Sequence, residues 1–346
     1  FSKGEKMGRL QSLAFLSIFL SLCSGFNHHA STIKAAAGPR SGLISTQLGK
    51  QRNTCVRGSL FSKNDEDGEA NDAIEETLTS QAPEKEEEKK SLFIFGLGYV
   101  GSALAFKLAK EGWEVHGTVT NPDKIEDYRQ EGVNAMLFNE WILGNVADEE
   151  KEALVQATHI LTSVPPASST GKDPVLLAHA KALELACTEG NCRWIGYLSS
   201  TGVYGDAAGA WVTEDSPARP TTPKTAARRD AERAWQYLHE RRALPVHVFR
   251  LAGIYGPTRS ALDTLRKADG DMARCSPDDT TFISRVHVAD ILQALCASMG
   301  APSPGRCLNV ADDQPATRYE VLSFAARLLG APVARPAAPS VTFDRW

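Results

Sequence analysis

The sequence predicts an α/β protein built on a doubly wound parallel sheet, carried by residues 91–346. Three observations predict it. Short apolar runs alternate with amphipathic stretches. A glycine-rich turn joins the first apolar run to the first helix. Later apolar runs end in small residues or proline, as strand tips that face a ligand do.

The elements follow in order. Leu92–Phe95 is a short apolar strand that runs straight into Gly96-Leu97-Gly98-Tyr99-Val100-Gly101. In the next helix Val100, Leu104 and Leu108 share one face, and Gly112 ends it. A GxGxxG pattern alone is weak, but strand before and helix after are the context of a dinucleotide fingerprint. Gly96 permits the tight turn, Gly98 lets the backbone approach a pyrophosphate, and Gly101 lets helix and strand pack closely. The helix N-terminus supplies N–H donors and a positive dipole end for those phosphates. Gly96, Leu97, Gly98, Tyr99, Val100 and Gly101 are therefore candidate cofactor residues; the bland alternative is a glycine turn with no ligand.

The second strand spans Glu114–Val119, and its tip ordinarily carries an acid for the adenosine ribose. Here the tip reads Thr118-Val119-Thr120-Asn121, with Asp123 and Lys124 beyond Pro122. Thr118 and Thr120 are the candidates at this tip. Without a carboxylate a 2′-phosphate is not repelled, which tilts the cofactor from NAD toward NADP; Thr and Asn can equally serve NAD. Asn134–Phe138 reads as the third strand, Lys151–Gln156 as part of a helix, and His159–Val164 as the fourth strand, ending in Pro165-Pro166. Pro174–Cys187 is an amphipathic helix and Arg193–Leu198 the fifth strand. Ligands sit at the carboxyl ends of such strands, so Val164, Pro165, Ser199 and Ser200 are expected to face the nicotinamide half.

Four later segments carry a resemblance. Ser199-Ser200-Thr201-Gly202-Val203-Tyr204-Gly205 resembles the strand-five motif of the extended short-chain dehydrogenases/reductases, the NAD-dependent epimerase/dehydratase family. Arg250–Pro257 is similar to its strand-six motif, which passes under the nicotinamide and nominates Leu251, Gly253 and Ile254. Ser284–Ile291 and Cys307–Asp313 resemble its later signatures. The resemblance covers essentially all of 91–335 and implies a Rossmann domain with a smaller, discontinuous C-terminal substrate lobe. It implies oxidoreductase- or epimerase-like chemistry on a small or sugar-like substrate, and a homodimer paired through helices.

The same resemblance exposes a gap. The family's Tyr-x-x-x-Lys pair lowers a phenol's pKa, about 10 when free, so that it can exchange protons near neutrality. Aligned through Glu232, the pair falls on Lys224 and Arg228, and no Tyr-x-x-x-Lys occurs anywhere in the chain. The pattern resembles an atypical subgroup that keeps the glycine loop and loses the tyrosine. Ser200 matches the family's substrate-holding Ser or Thr. Arg228 can hold ribose hydroxyls or a phosphate but, being always charged, cannot shuttle a proton. Lys224 acts as a base only if burial or a neighbouring cation lowers its pKa. Ser200, Lys224 and Arg228 are the catalytic candidates, and a non-catalytic dinucleotide-binding or sensing module is the alternative. Tyr204, Trp211 and Trp235 read as packing, His287 as a hydrogen-bonded core histidine, and Arg228-Arg229 also as a solvated helix face.

The 346 residues carry a net charge of −4, but the charge is segregated. Residues 1–64 sum to +8, with no acid between Lys6 and Asn64; residues 65–90 sum to −8. The remaining body, at −4, has no electrostatic footprint for nucleic acid. Met7 is read as the start. Leu13–Leu22 is shorter than the roughly 20 residues that span a bilayer and suits a signal-peptide core. The basic stretch 27–64, rich in Ser, Thr and Ala, suits a transit peptide. Together they resemble the bipartite leader of secondary-plastid proteins, with Ser24-Gly25-Phe26 as a loose cleavage signal; a secreted protein is the alternative. The mature protein is expected not to span a membrane. Residues 65–90 read as an acidic disordered linker, and the proline- and alanine-rich end after Gly330 as a truncated lobe. Seven scattered cysteines form no CxxC pair, so free thiols and no metal are expected.

Overall fold

The computed structural model of the protein describes residues 90–138, 148–267 and 281–330. The expected leader, nearly all of the linker and the chain end after Gly330 lie outside the described residues. In chain order the elements are β1 (Ser91–Phe95), α1 (Tyr99–Lys110), β2 (Glu114–Val119), α2 (Ile125–Gln130), β3 (Asn134–Leu137), α3 (Asp148–Val155), β4 (His159–Thr162), α4 (Pro174–Thr188), β5 (Trp194–Ser200), α5 (Pro223–Arg242), β6 (Val246–Leu251), β7 (Gly253–Tyr255), α6 (Ala261–Lys267), β8 (Phe282–Ile283), β9 (Arg285–His287), α7 (Val288–Gly300), β10 (Cys307–Val310), β11 (Ala316–Thr317) and α8 (Arg318–Leu328). Short 3-10 turns occupy Pro122–Lys124 and Thr201–Tyr204.

Seven strands form one sheet in the order β3-β2-β1-β4-β5-β6-β10, every neighbouring pair parallel. Order reverses beside β1, so the carboxyl ends of β1 and β4 flank the crevice where such sheets take ligands. Every residue of β1 is buried, because alternate side chains leave opposite faces and both faces are covered. Leu92 and Ile94 meet α1 and α7 through Leu104, Leu108, Ile291 and Leu295. Phe93 and Phe95 join the other layer, with Val175 and Leu183 of α4 and Trp235 of α5.

Boundaries differ modestly from the sequence expectation. β4 stops at Thr162, short of Pro165-Pro166, whose missing N–H groups cannot continue a ladder. β5 runs on to Ser200, because β6 pairs with it as far as Leu251. α3 begins at Asp148, three residues early. Asp173 caps α4 by accepting the Leu176 amide at 3.0 Å.

A small second lobe lies beyond β6. β7 pairs with β9, β8 pairs with β11, and Leu265 of α6 packs on Leu322, Ala325 and Ala326 of α8. It is discontinuous, since α7 and β10 return to the main sheet between its two parts. Trp211 is 78% exposed, so the lobe packing expected of it is not found; the fully buried Trp235 does pack between α5 and the sheet. Among the described residues no helix is long and apolar enough to cross a membrane.

Candidate dinucleotide site at the strand tips

The turn after β1 is held rigidly from behind and left open in front. Gly96 has φ +87°, in the left-handed region. Its N–H donates to Thr118 Oγ1 at 2.9 Å, and its carbonyl accepts from Ser163 Oγ at 2.6 Å. Leu97 is anchored at both backbone groups: its N–H donates to the Thr118 carbonyl, and its carbonyl accepts from Ser102 Oγ and the Tyr128 hydroxyl. A methyl group on Gly101 would collide with the Gly96 carbonyl, so α1 closes on the strand only because that position lacks a side chain. At Gly98 an added methyl would meet nothing within 4 Å.

Gly98 is also the N-cap of α1, with no side-chain cap and no acid in the first turn. The first amides of a helix lack intrahelical partners and carry the positive end of its dipole. Open space, uncapped amides and a first turn without acids fit the paired phosphates of a dinucleotide. Tyr99 and Val100 begin this helix; Val100 is buried in the core beneath it, and the Tyr99 hydroxyl donates to the Pro257 carbonyl at 3.0 Å. Arg259, which the sequence reading did not single out, holds its exposed guanidinium 5.4 Å from the Tyr99 ring centre. No motif marks it; only the fold brings residue 259 back to residue 99.

Among the remaining tip residues, Thr118 is fully buried and spends its hydroxyl on the Gly96 amide, so its side chain shapes the turn rather than facing solvent. Thr120 is exposed just past β2. Next to it the Asn121 side chain caps the short turn to Lys124 by accepting the Asp123 amide at 3.0 Å. Val164 is half-buried against Gly96, and Pro165 is exposed. Leu251, the last residue of β6, is buried; in β7 Gly253 is exposed and Ile254 half-buried.

The tips of β5 and β6 enclose a charged network. Ser199 Oγ donates to Glu232 Oε2 at 2.9 Å. Glu232, only 2% exposed, takes the Arg250 guanidinium on both carboxylate oxygens. Arg250 Nη1 donates to the Tyr204 hydroxyl at 2.8 Å, and Tyr204 donates onward to Asn309 Oδ1 at 2.7 Å. Tyr204 thus does more than the packing expected of it. Ser200 is half-buried and accepts the Gly202 amide at 3.2 Å. Arg228 is half-buried with Nη1 donating to the Leu198 carbonyl at 2.9 Å, so it is not a solvated face. Lys224 is exposed in the first turn of α5, between the two residues of a Thr222–Thr225 capping box. His287 caps α7 by accepting the Ala289 amide on Nδ1, a structural use in keeping with the sequence reading.

Burial raises the phenols of Tyr99, Tyr197 and Tyr255 above 10, and burial raises that of Tyr204 despite its bond to Arg250. All four keep their protons at neutral pH.

A glycine turn at the crevice of a parallel seven-stranded sheet defines an α/β dinucleotide-binding protein. Residues 92–311 match the NAD dependent epimerase/dehydratase family, and the chain belongs to that family. It is 39% identical to a functionally unknown conserved protein from Silicibacter pomeroyi, whose structure superposes with a TM-score of 0.61 over 74% of this chain and 84% of that one. Protein YeeZ of Escherichia coli K12 is 29% identical over 241 residues, 70% of this chain and 84% of that protein. The fold is shared with dTDP-glucose 4,6-dehydratase from Bacillus anthracis, solved in complex with NAD: 17% identity, TM-score 0.59, 70% of this chain and 82% of the other.

Proposed function

We propose that the protein binds NAD(P) across the β1 turn and performs oxidoreductase- or epimerase-type chemistry on a small or sugar-like substrate, without a tyrosine acid–base. The observation that carries this reading is the β1 turn itself. It is pinned through Thr118, Ser163 and Tyr128 while Gly98 and the uncapped start of α1 stay open.

The nicotinamide, when bound, supplies hydride exchange. The Gly98–Gly101 backbone holds the phosphates, and Arg259 adds a cation beside the first turn. Ser200 donates its hydroxyl to the substrate oxygen that gains or loses hydrogen. Arg228 keeps the β5 tip in place through Leu198 and stays charged. Lys224 is exposed, so burial does not prime it as a base; the proton passes through water, which Lys224 orients at the solvent edge. The carboxylate-free tip of β2, with exposed Lys124 nearby, supports NADP over NAD. We also propose delivery to a plastid, on the acid-free basic stretch 27–64; a fluorescent fusion of residues 1–90 tests it.

The test is titration of the full chain with NADPH and NADH by fluorescence and calorimetry, then a search for hydride transfer with aldehydes and nucleotide sugars. Binding of neither cofactor overturns the reading. Binding with turnover that falls in Ser200→Ala and Lys224→Ala supports it. Binding with no turnover favours a sensing module, the second reading, which the protonated tyrosines and the tethered Arg228 support.

A further inference from the structure

Two thiols outside the strand-tip site meet where α4 ends. Cys187 lies in the last turn of α4 and Cys192 in the connection to β5. That connection folds back on the helix. The amides of Glu189 and Gly190 both donate to the Leu185 carbonyl, at 2.9 and 3.0 Å, and the Cys192 amide donates to the Ala186 carbonyl at 3.0 Å. A side chain at Gly190 would strike the carbonyls of Val155 and Ala186, so this tight path depends on glycine. The closure sets Cys192 beside the last turn of α4, so the Cys187 and Cys192 side chains are neighbours. Cys192 Sγ also reaches the Trp194 carbonyl at 3.6 Å.

The pair is asymmetric in a way that assigns roles. Cys187 is half-exposed, and its contact with Cys192 holds its thiol below the usual range, outweighing burial. Cys192 is buried, and the same contact together with burial holds its proton on. The attacking species in thiol–disulfide exchange is the accessible thiolate, and a protected thiol beside it resolves the mixed disulfide.

We propose that Cys187 and Cys192 are a redox pair that closes reversibly to an intramolecular disulfide, with a glutathione-type disulfide as the oxidant. The Cys187 thiolate attacks one sulfur of the oxidant, the oxidant's S–S bond breaks, and one glutathione thiolate leaves. Cys192 gives its proton to solvent and attacks Cys187 Sγ, releasing the second glutathione thiolate. Two cysteine thiols are oxidised and one disulfide is reduced to two thiols, so electrons balance. Disulfide geometry requires Cβ atoms about 3.5–4.5 Å apart, and the bond from the Cys192 amide to the Ala186 carbonyl already holds residue 192 beside the helix turn that carries Cys187. The resulting staple joins α4 to the foot of β5, at the opposite end of that strand from Ser199 and Ser200. It is independent of dinucleotide binding.

One tryptic peptide, residues 182–193, contains both cysteines. The full chain, reduced and then exposed to excess glutathione disulfide, is expected to yield this peptide lighter by two hydrogens and closed to alkylation. Dithiothreitol is expected to restore both thiols. Cys192→Ser is expected to accumulate glutathione on Cys187, and Cys187→Ser to leave Cys192 reduced. The inference is overturned by a wild-type peptide with both thiols open to alkylation, by stable glutathione on Cys187 beside a free Cys192, or by either cysteine linked elsewhere. The wild-type map decides alone if a variant fails to fold.

Discussion

The turn after β1 and the strip after β5 lie two strands apart on the same edge of the sheet, yet they are made of different materials. The first is backbone: Gly96, Gly98 and Gly101 act by what they lack, and the side chains behind them only brace. The second is side chain: Ser199, Glu232, Arg250, Tyr204 and Asn309 form a chain of bonds in which each member needs its neighbour. A backbone site persists through most substitutions, whereas a side-chain network loses its bonds when one member is replaced.

The comparison can be broken or sharpened, beginning with the largest effect. Glu232→Ala strands a buried guanidinium and should cost about 3–5 kcal/mol in urea denaturation. Arg250→Met in the same chain should recover much of it; a single-variant cost below ~1 kcal/mol would mean the network does not hold the strip together.

Beneath the turn, Glu150 and His179 lie 3.6 Å apart with the His179 ring against Phe95. Burial lifts the Glu150 carboxyl from 4.5 to about 7 and drops the His179 imidazole from 6.5 to about 4. Glu150's contribution is full below 4.5 and lost as pH rises through about 7; His179's is full above 6.5 and lost as pH falls through about 4. Between 4.5 and 6.5 the folded and unfolded pairs bind the same single proton, on the carboxyl when folded and on the imidazole when unfolded, so their slopes cancel. Glu150→Gln removes one slope, and stability should then climb by roughly 3 kcal/mol from about pH 4 to 6.5. A urea-midpoint series with no such climb would refute the assignment.

At the turn itself, Gly101→Val should drive α1 off the Gly96 carbonyl, weaken NAD(P) binding about a hundredfold and cost about 1–3 kcal/mol. Gly98→Ala should separate the two readouts, with affinity down about tenfold and the denaturation midpoint unmoved, because its methyl enters only the open space. Arg259→Ala should cost about threefold in affinity, a difference that fades in high salt as an exposed cation's contribution does.

Much of the fold was readable from local pattern. β1, the glycine turn and α1 are contiguous, and their spacing is fixed by turn and helix geometry, so residues 92–108 announce themselves. The β5 tip gave up Ser199 and Ser200 by motif but not their uses. Ser199 is committed to Glu232, 33 residues away, and Tyr204 to Asn309, 105 residues away, pairings that no local pattern encodes. Thr118 was named as a ligand contact because it sits at a strand end; that its hydroxyl points back to Gly96 depends on the β1–β2 register. Arg259, Glu150 and His179 stayed hidden for the same reason, and Trp211 misled because a large ring is usually covered.

The split small lobe has a consequence for assembly. Leu265 waits for Leu322, Ala325 and Ala326, and between them the chain must traverse α7 and add β10 beside β6. Closing that long loop is entropically easier once both ends are anchored on a finished sheet. During synthesis from the amino end, Leu265 therefore meets its partners on α8 only after β10 has been made.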